Sequence, residues 1–378
     1  MIDRRSLLAR SAVLAAGALT PTLLHAATAA TNKRFVFIIQ RGAADGLHIV
    51  PPLGDPAFAG LRAGFLDSLH GAHQLDTTFS LHPALGRIAG MYDRKQMVAV
   101  HALASAYRDR SHFDGQNVLE TGGTQAYAEK AGWMNRLLPL LPDGRALALA
   151  ADVPMALRGP APVSSYAPSG LPQAQDDLIA RVSRMYAGDA QLDGLWTQVM
   201  QTKGLVGDLA KTKGQAPADL GRVAARMMTG PDGARVMMIE TGGWDTHTGQ
   251  TGRLAAQLGN LDTMVATMAD ALGPAWDDTL VLVATEFGRT AAINGTNGTD
   301  HGTGSAALLM GGGLRGGRVM ADWPGVAPGA LFEARDLRPT MAMEALVSGA
   351  IAGHFGLDPA LVARRLYPAQ PSLRAVSV

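Results

Sequence analysis

The sequence predicts an α/β protein with a mostly parallel central sheet flanked by helices. Three observations carry that prediction. Continuous apolar, β-rich runs recur at 34–40, 97–103, 235–240 and 279–284, as strands buried on both faces require. Each soon gives way to glycines with acids, histidines or hydroxyls, where open α/β sheets place their ligands. Helical periodicity follows the third run, with Leu254, Leu258, Leu261, Val265 and Met268 on one face.

Composition narrows the class. A chain of 378 residues suits one large α/β domain with an insertion. The 45 glycines suit tight strand-to-loop turns. A net charge of +1, with no basic stripe interleaved with aromatics, argues against a nucleic-acid partner. The chain has no cysteine, which removes disulfides, thiolate metal ligands and a cysteine nucleophile.

The N-terminus carries an address. Arg4 and Arg5 precede Ser6-Leu7-Leu8, an alanine-rich apolar run and the small residues Ala27-Thr28-Ala29. That order resembles a twin-arginine export signal. The run is too short and too alanine-rich to span a bilayer. Residues 1–29 are therefore expected to be removed, leaving a single domain over 30–378 that is periplasmic or secreted and has no membrane span.

In chain order, the strand at 34–40 ends in Arg41-Gly42-Ala43-Ala44-Asp45-Gly46, a carboxylate held in a glycine turn. An ordinary Asp-Gly turn is the plainer account of Asp45. Leu81, Leu85, Ile88 and Met91 then share one helical face, with His82 at the helix entry. The strand at 97–103 leads to Arg110-Ser111-His112-Phe113-Asp114, where Ser111 caps a helix beginning near His112. A helix N-terminus also receives phosphate well. The stretch 160–172 reads as a linker, and 173–228 as an amphipathic helical insertion. Past the strand at 235–240, Asp245 and His247 stand two apart behind paired glycines. The strand at 279–284 runs into Glu286 and Arg289, and a flexible loop returns with Asp300 and His301. A further strand lies near 306–310, and a helix is expected over 336–352.

The strand ends thus gather carboxylates and imidazoles. Such mixed ligands suit one or two divalent ions, Zn or Mn first, with Mg or Ca if oxygens dominate. Two metals about 4 Å apart activate a nucleophile and shield a leaving oxygen at phosphorus. Arginines such as Arg289 can clamp the free oxygens.

At these residues the chain resembles the domain-of-unknown-function 1501 family, within the alkaline phosphatase/sulfatase-like superfamily. The likeness rests on the export signal, R-G-A-A-D-G-L, S-H-F-D-G-Q-N-V-L-E-T-G, G-G-W-D-T-H-x-x-Q, and T-E-F-G-R-T followed by G-T-D-H-G. It implies an alkaline phosphatase-like three-layer sandwich with metals at the strand ends. It further implies Ser111 as nucleophile, and Asp45, Asp245, His247, Glu286, Asp300 and His301 as the metal set. His112 and Arg289 are expected beside the reaction, with Arg41, Arg110 and Asp114 toward substrate. Phe287 departs from the pattern, standing where a histidine ligand is expected. The missing cysteine excludes formylglycine chemistry.

The leading expectation is an exported, metal-dependent hydrolase or transferase of phosphate, phosphonate or sulfate esters, acting on a small-molecule or glycan ester. A non-catalytic envelope or glycan-binding protein on the same fold is the alternative. Peptide or amide hydrolysis has no H-E-x-x-H motif in its favour.

Overall fold

Alternation of apolar side chains between two faces builds the central sheet. In β1 (Arg34–Gln40), Val36 and Ile38 enter one core, while Phe35, Phe37 and Ile39 enter the other. The same alternation divides Val281 and Val283 from Leu280 and Leu282. A strand apolar on both sides must be covered on both sides.

This computed structural model describes residues 32–168, 176–189, 192–197, 199–200, 216–230 and 232–378. Among them, nine strands form the main sheet. After β1 come β2 (Met97–Ala104), β3 (Ala146–Leu149), β4 (Val163–Ser165), β5 (Val236–Thr241) and β6 (Thr279–Ala284). The last are β7 (Ser305–Met310), β8 (Arg318–Met320) and β9 (Met341–Ala342). Their order is β8-β2-β7-β6-β1-β5-β3-β4, with β9 beside the end of β2. All pairings are parallel except those of β7, which runs antiparallel between β2 and β6. That one reversal positions the site. The chain leaves the carboxyl end of β6 and re-enters at the amino end of β7 without crossing the sheet. Residues 285–304 therefore stay at the edge where β1, β2 and β5 also end.

One face is covered by α1 (Gly86–Asp93), α2 (Pro217–Met228) and the long α3 (Gln250–Leu272). The other face is covered by α4 (Met343–Phe355) and α5 (Pro359–Leu366). The helix His112–Thr121, called αS here, sits at the carboxyl end of β2.

Several expectations change. The run from Leu81 is not one helix: Ser80–Leu81 pairs with His73–Gln74, a 3-10 turn spans Pro83–Leu85, and α1 follows. His82 does enter that turn, its Nδ1 accepting from Ala84 N at 3.1 Å. The helix expected over 336–352 starts at Met343 rather than Asp336, and a further helix, α5, follows it. Pro339 explains the delay, since its ring disfavours helical geometry at the residue before it. Part of the expected insertion belongs to the core, because α2 buries Val223, Ala224, Met227 and Met228. Asp176–Tyr186 is helical, as expected, while much of 173–228 and all of the signal region 1–29 lie outside the described residues.

Candidate metal centre

Two loops and αS meet at the carboxyl edge of the sheet. The β5 loop supplies Asp245 and His247, the β6–β7 loop supplies His301, and αS supplies His112 in its first turn. His112, Asp245 and His301 each offer a ligand atom, all within 4.8 Å of one another. His247 joins them, with Nε2 at 3.0 Å from Asp245 Oδ1 and 3.0 Å from His301 Nε2.

Each imidazole is oriented from behind. His112 Nδ1 donates to Glu286 Oε1 at 2.9 Å, His247 Nδ1 to Asp300 Oδ1 at 2.9 Å, and His301 Nδ1 to the Arg110 carbonyl at 3.0 Å. These acceptors have no proton to give, so the donated hydrogen resides on Nδ1 of each neutral ring. Three Nε2 lone pairs are then left facing Asp245 and one another. Nε2 of His112 is buried and has no hydrogen-bond partner among the described residues; Asp245 Oδ2 stands 3.5 Å away. A buried lone pair such as that of His112 Nε2 needs a cation or a proton to be tolerated, while Asp245 and His247 leave the cluster open to solvent. A divalent ion fits this donor set, and carboxylate-backed histidines are the usual second layer of such a site.

The carboxylates hold their charge. Burial pushes the Glu286 carboxyl up, but hydrogen bonds from His112, Gln116 and the Gly42 N–H outweigh it and keep the group ionised. Burial likewise acts on Asp245, and Arg289 overcomes it through a 2.6 Å contact to Oδ1. His112 is raised by its bond to Glu286, whereas burial and the nearby His112 and Arg289 lower His301.

Gly42 makes this assembly possible. Its φ is +119°, and a Cβ there would lie 2.6 Å from Asp245 N. Only glycine lets the β1 turn pass so close while donating to Glu286 at 2.9 Å.

The expected site residues fall into separate places. His112, Asp245, His247 and His301 converge. Glu286 and Asp300, expected as ligands, stand behind histidines and orient them. Asp45 is elsewhere engaged: both its oxygens bind Arg62, at 2.6 and 3.2 Å, and Gln250 donates to it at 2.6 Å. Both members of that ion pair are 1% exposed. Arg289 is not a free clamp, since it is spent on Asp245 and on the hydroxyl and carbonyl of Thr299. Arg41 is paired with Glu120 and Glu240, and Arg110 with Glu333 and Asp336. Asp114 faces Tyr107 Oη at 3.5 Å in the first turn of αS.

Ser111 sits at the capping position of αS, between Arg110 and His112, which both touch the centre. Its side chain makes no capping bond. Phe287 stacks on His112, with centroids 5.1 Å apart, and packs with Ala43, Tyr107 and Val118. The unexpected ring is thus a wall for the histidine rather than a vacant ligand position.

Sequence reading missed Gln116, Gln250 and Arg62. Gln116 lies one helical turn beyond His112, a spacing that could have shown it to share that face. Arg62 has no such signal, because its partner Asp45 is reached only through the fold.

Several solved structures are similar to this chain. The C-terminal periplasmic domain of EcEptC from Escherichia coli, in complex with Zn, is 8% identical with a TM-score of 0.40, covering 75% of this chain and 74% of that one. Phosphonate monoester hydrolase of Agrobacterium radiobacter is 12% identical with a TM-score of 0.42, covering 90% and 78%. Alkaline phosphatase from the Antarctic bacterium TAB5 is 11% identical with a TM-score of 0.37, covering 77% and 95%. No curated protein matches the chain. The family profile described as Protein of unknown function (DUF1501) matches residues 55–366, more than half of the chain, and the protein belongs to that family.

Proposed function

We propose that the protein is an exported, metal-dependent hydrolase or transferase of phosphate, phosphonate or sulfate esters. The observation that supports this best is the set of three Nε2 lone pairs aimed at Asp245, beside a serine whose hydroxyl is not used in capping. His112, Asp245, His247 and His301 would hold the ion, which supplies a Lewis acid to polarise the ester and favour the ionised serine. Glu286, Asp300 and the Arg110 carbonyl fix the rings. Arg289 limits the negative charge on Asp245.

In this reading the Ser111 oxygen attacks phosphorus, the bond to the ester oxygen breaks, and the alcohol leaves with the serine proton. Water, or a second alcohol in transfer, then cleaves the seryl phosphate and restores the hydroxyl. Residues 1–29 serve as the twin-arginine signal and 30–378 as one domain, which would place the protein in the periplasm or outside the cell. Among the described residues no helix is long and apolar enough to cross a membrane.

The alternative, a non-catalytic binding protein, draws support from one feature: Asp45, Arg41, Arg110 and Arg289 are all committed to internal partners. The test is elemental analysis of chain purified without chelator, paired with turnover of p-nitrophenyl phosphate and its sulfate and phosphonate counterparts. Zn or Mn at one or two equivalents, with turnover lost in Ser111→Ala and metal retained, is the expected result. Bound metal without turnover of any ester favours the binding protein.

A further inference from the structure

A cleft lies close to the candidate metal centre, lined in part by Gly242 and Trp244 of the turn that leads into Asp245. It has a volume of about 230 Å³ and lies between the start of α2, the middle of α3 and the end of β5. Trp244, one residue before Asp245, forms part of its wall, so cleft and centre are separated by a single step of chain.

The lining has a definite chemistry. Glu240 contributes a carboxylate whose Oε1 accepts from Arg41, while Oε2 has no partner among the described residues. Gln257 and Asn260 lie three apart on α3, hence on one face, and neither side-chain amide is hydrogen-bonded among the described residues. Leu220, Leu261 and Met264 supply an apolar side. Trp244 cannot swing away, because its indole N–H is fixed at 3.0 Å to Thr241 Oγ1, which in turn donates to the Ile39 carbonyl.

We infer that this cleft binds the alcohol portion of the substrate, and that this portion is an uncharged polyhydroxyl group such as a sugar or polyol. Arg41 pairs with Glu240 but is shared with Glu120, so an anion finds no unpaired cation in the lining, and a cationic ligand is what the ethanolamine control tests. Hydroxyls do find partners: the free carboxylate oxygen and two amide carbonyls accept, and two amide NH₂ groups donate. The half-buried Leu220, packed over the buried Leu261 and Met264, suits the C–H face of such a ring. Arg41 also ties the cleft to the centre, binding Glu240 on one side and Gln116 on the other, and Gln116 donates to Glu286. Sites built from hydrogen-bonding groups reject ligands lacking the matching hydroxyls by large factors.

The inference rests on the ester-hydrolase reading, and its test keeps the two apart. Binding of glycerol, myo-inositol and a methyl hexopyranoside to the mature chain would be measured by saturation-transfer NMR, with ethanolamine as the charged control. The same titrations would use Asn260→Leu and Gln257→Leu/Asn260→Leu, with thermal melts confirming their fold. At least one polyol is expected to bind, with affinity falling at least tenfold in the double variant and ethanolamine showing no saturable binding. Absence of binding by all three polyols, or binding indifferent to both variants, overturns the inference, as does preference for ethanolamine. Polyol binding without ester turnover keeps the cleft and removes the hydrolase. Turnover in which the double variant alters KM equally for phenyl phosphate and glycerol phosphate keeps the hydrolase and removes the cleft.

Discussion

His112 Nδ1 lies 2.9 Å from Glu286 Oε1, and the carboxylate is nearly sealed from solvent. The pair sets which nitrogen of His112 faces the centre. It also raises the basicity of that nitrogen, since an ionised carboxylate stabilises positive charge developing on the ring. Glu286→Gln preserves the shape but removes the charge. The expected result is a loss of metal affinity of about 10- to 100-fold, measured by competition with a chromophoric chelator. Unaltered affinity would show that Glu286 is only a packing residue.

Asp45 and Arg62 form the contrasting case. Their pair is buried and bidentate, and Gln250 completes it. Burial pushes the Asp45 carboxyl up, but Arg62 overcomes this and keeps it ionised. Arg62→Met leaves that carboxylate unpaired, with an expected loss of about 3–5 kcal/mol in stability. Chemical denaturation of chelator-treated protein measures it. Asp45→Asn should lower stability too, yet leave the metal equivalents per chain unchanged. Loss of one equivalent in that variant would return Asp45 to the ligand set.

The sequence made the sheet legible because its strands are apolar on both faces, and Arg34–Gln40 has the predicted limits. It also flagged His112, Asp245, His247 and His301, since each stands just beyond a buried run or in the loop returning from one. Their roles were harder to read. Whether Glu286 or Asp300 touches an ion or a histidine depends on a few ångströms of side-chain depth, which residue spacing does not encode. Asp45 was drawn toward the centre by its place after β1, but its actual partner Arg62 lies in a segment with no period linking the two. The antiparallel course of β7 was hidden as well. An apolar run such as 305–310 looks alike in either direction, although that direction brings His301 to the site.

Gly115 permits the Phe287 wall. A Cβ at this position would lie 2.9 Å from Phe287 Cδ1 and 3.1 Å from both Phe287 Cε1 and Tyr107 Cδ1. Both rings are buried, so neither can yield freely. Gly115→Ala should therefore destabilise the chain by about 1–3 kcal/mol despite the better helix propensity of alanine. Because Phe287 stacks on His112, the same change should weaken metal binding. A higher melting temperature in Gly115→Ala would mean that the aromatic cluster repacks without strain.

His101 governs part of the response to acid. It is fully buried in β2, where its Nδ1 accepts from Ala102 N at 2.8 Å and its Nε2 donates to the Val50 carbonyl at 3.0 Å. Both nitrogens are satisfied only in the neutral ring. Burial lowers the pKa to about 4, against smaller opposing effects from the Val50 and Gly46 carbonyls and from Asp45. The unfolded chain thus takes up a proton near the ordinary pKa of about 6.5, while the folded chain resists until about 4. Stability is complete above that ordinary value and falls as the pH drops toward 4, by about 1.4 kcal/mol per pH unit for one such group. His48 and His82, lowered by burial to about 3 and about 4, add to the same slope. Urea denaturation of chelator-treated protein between pH 7 and 4 separates this effect from metal loss. His101→Gln should be less stable at pH 7 and show a shallower decline. An equal slope in that variant would assign the acid sensitivity to other groups.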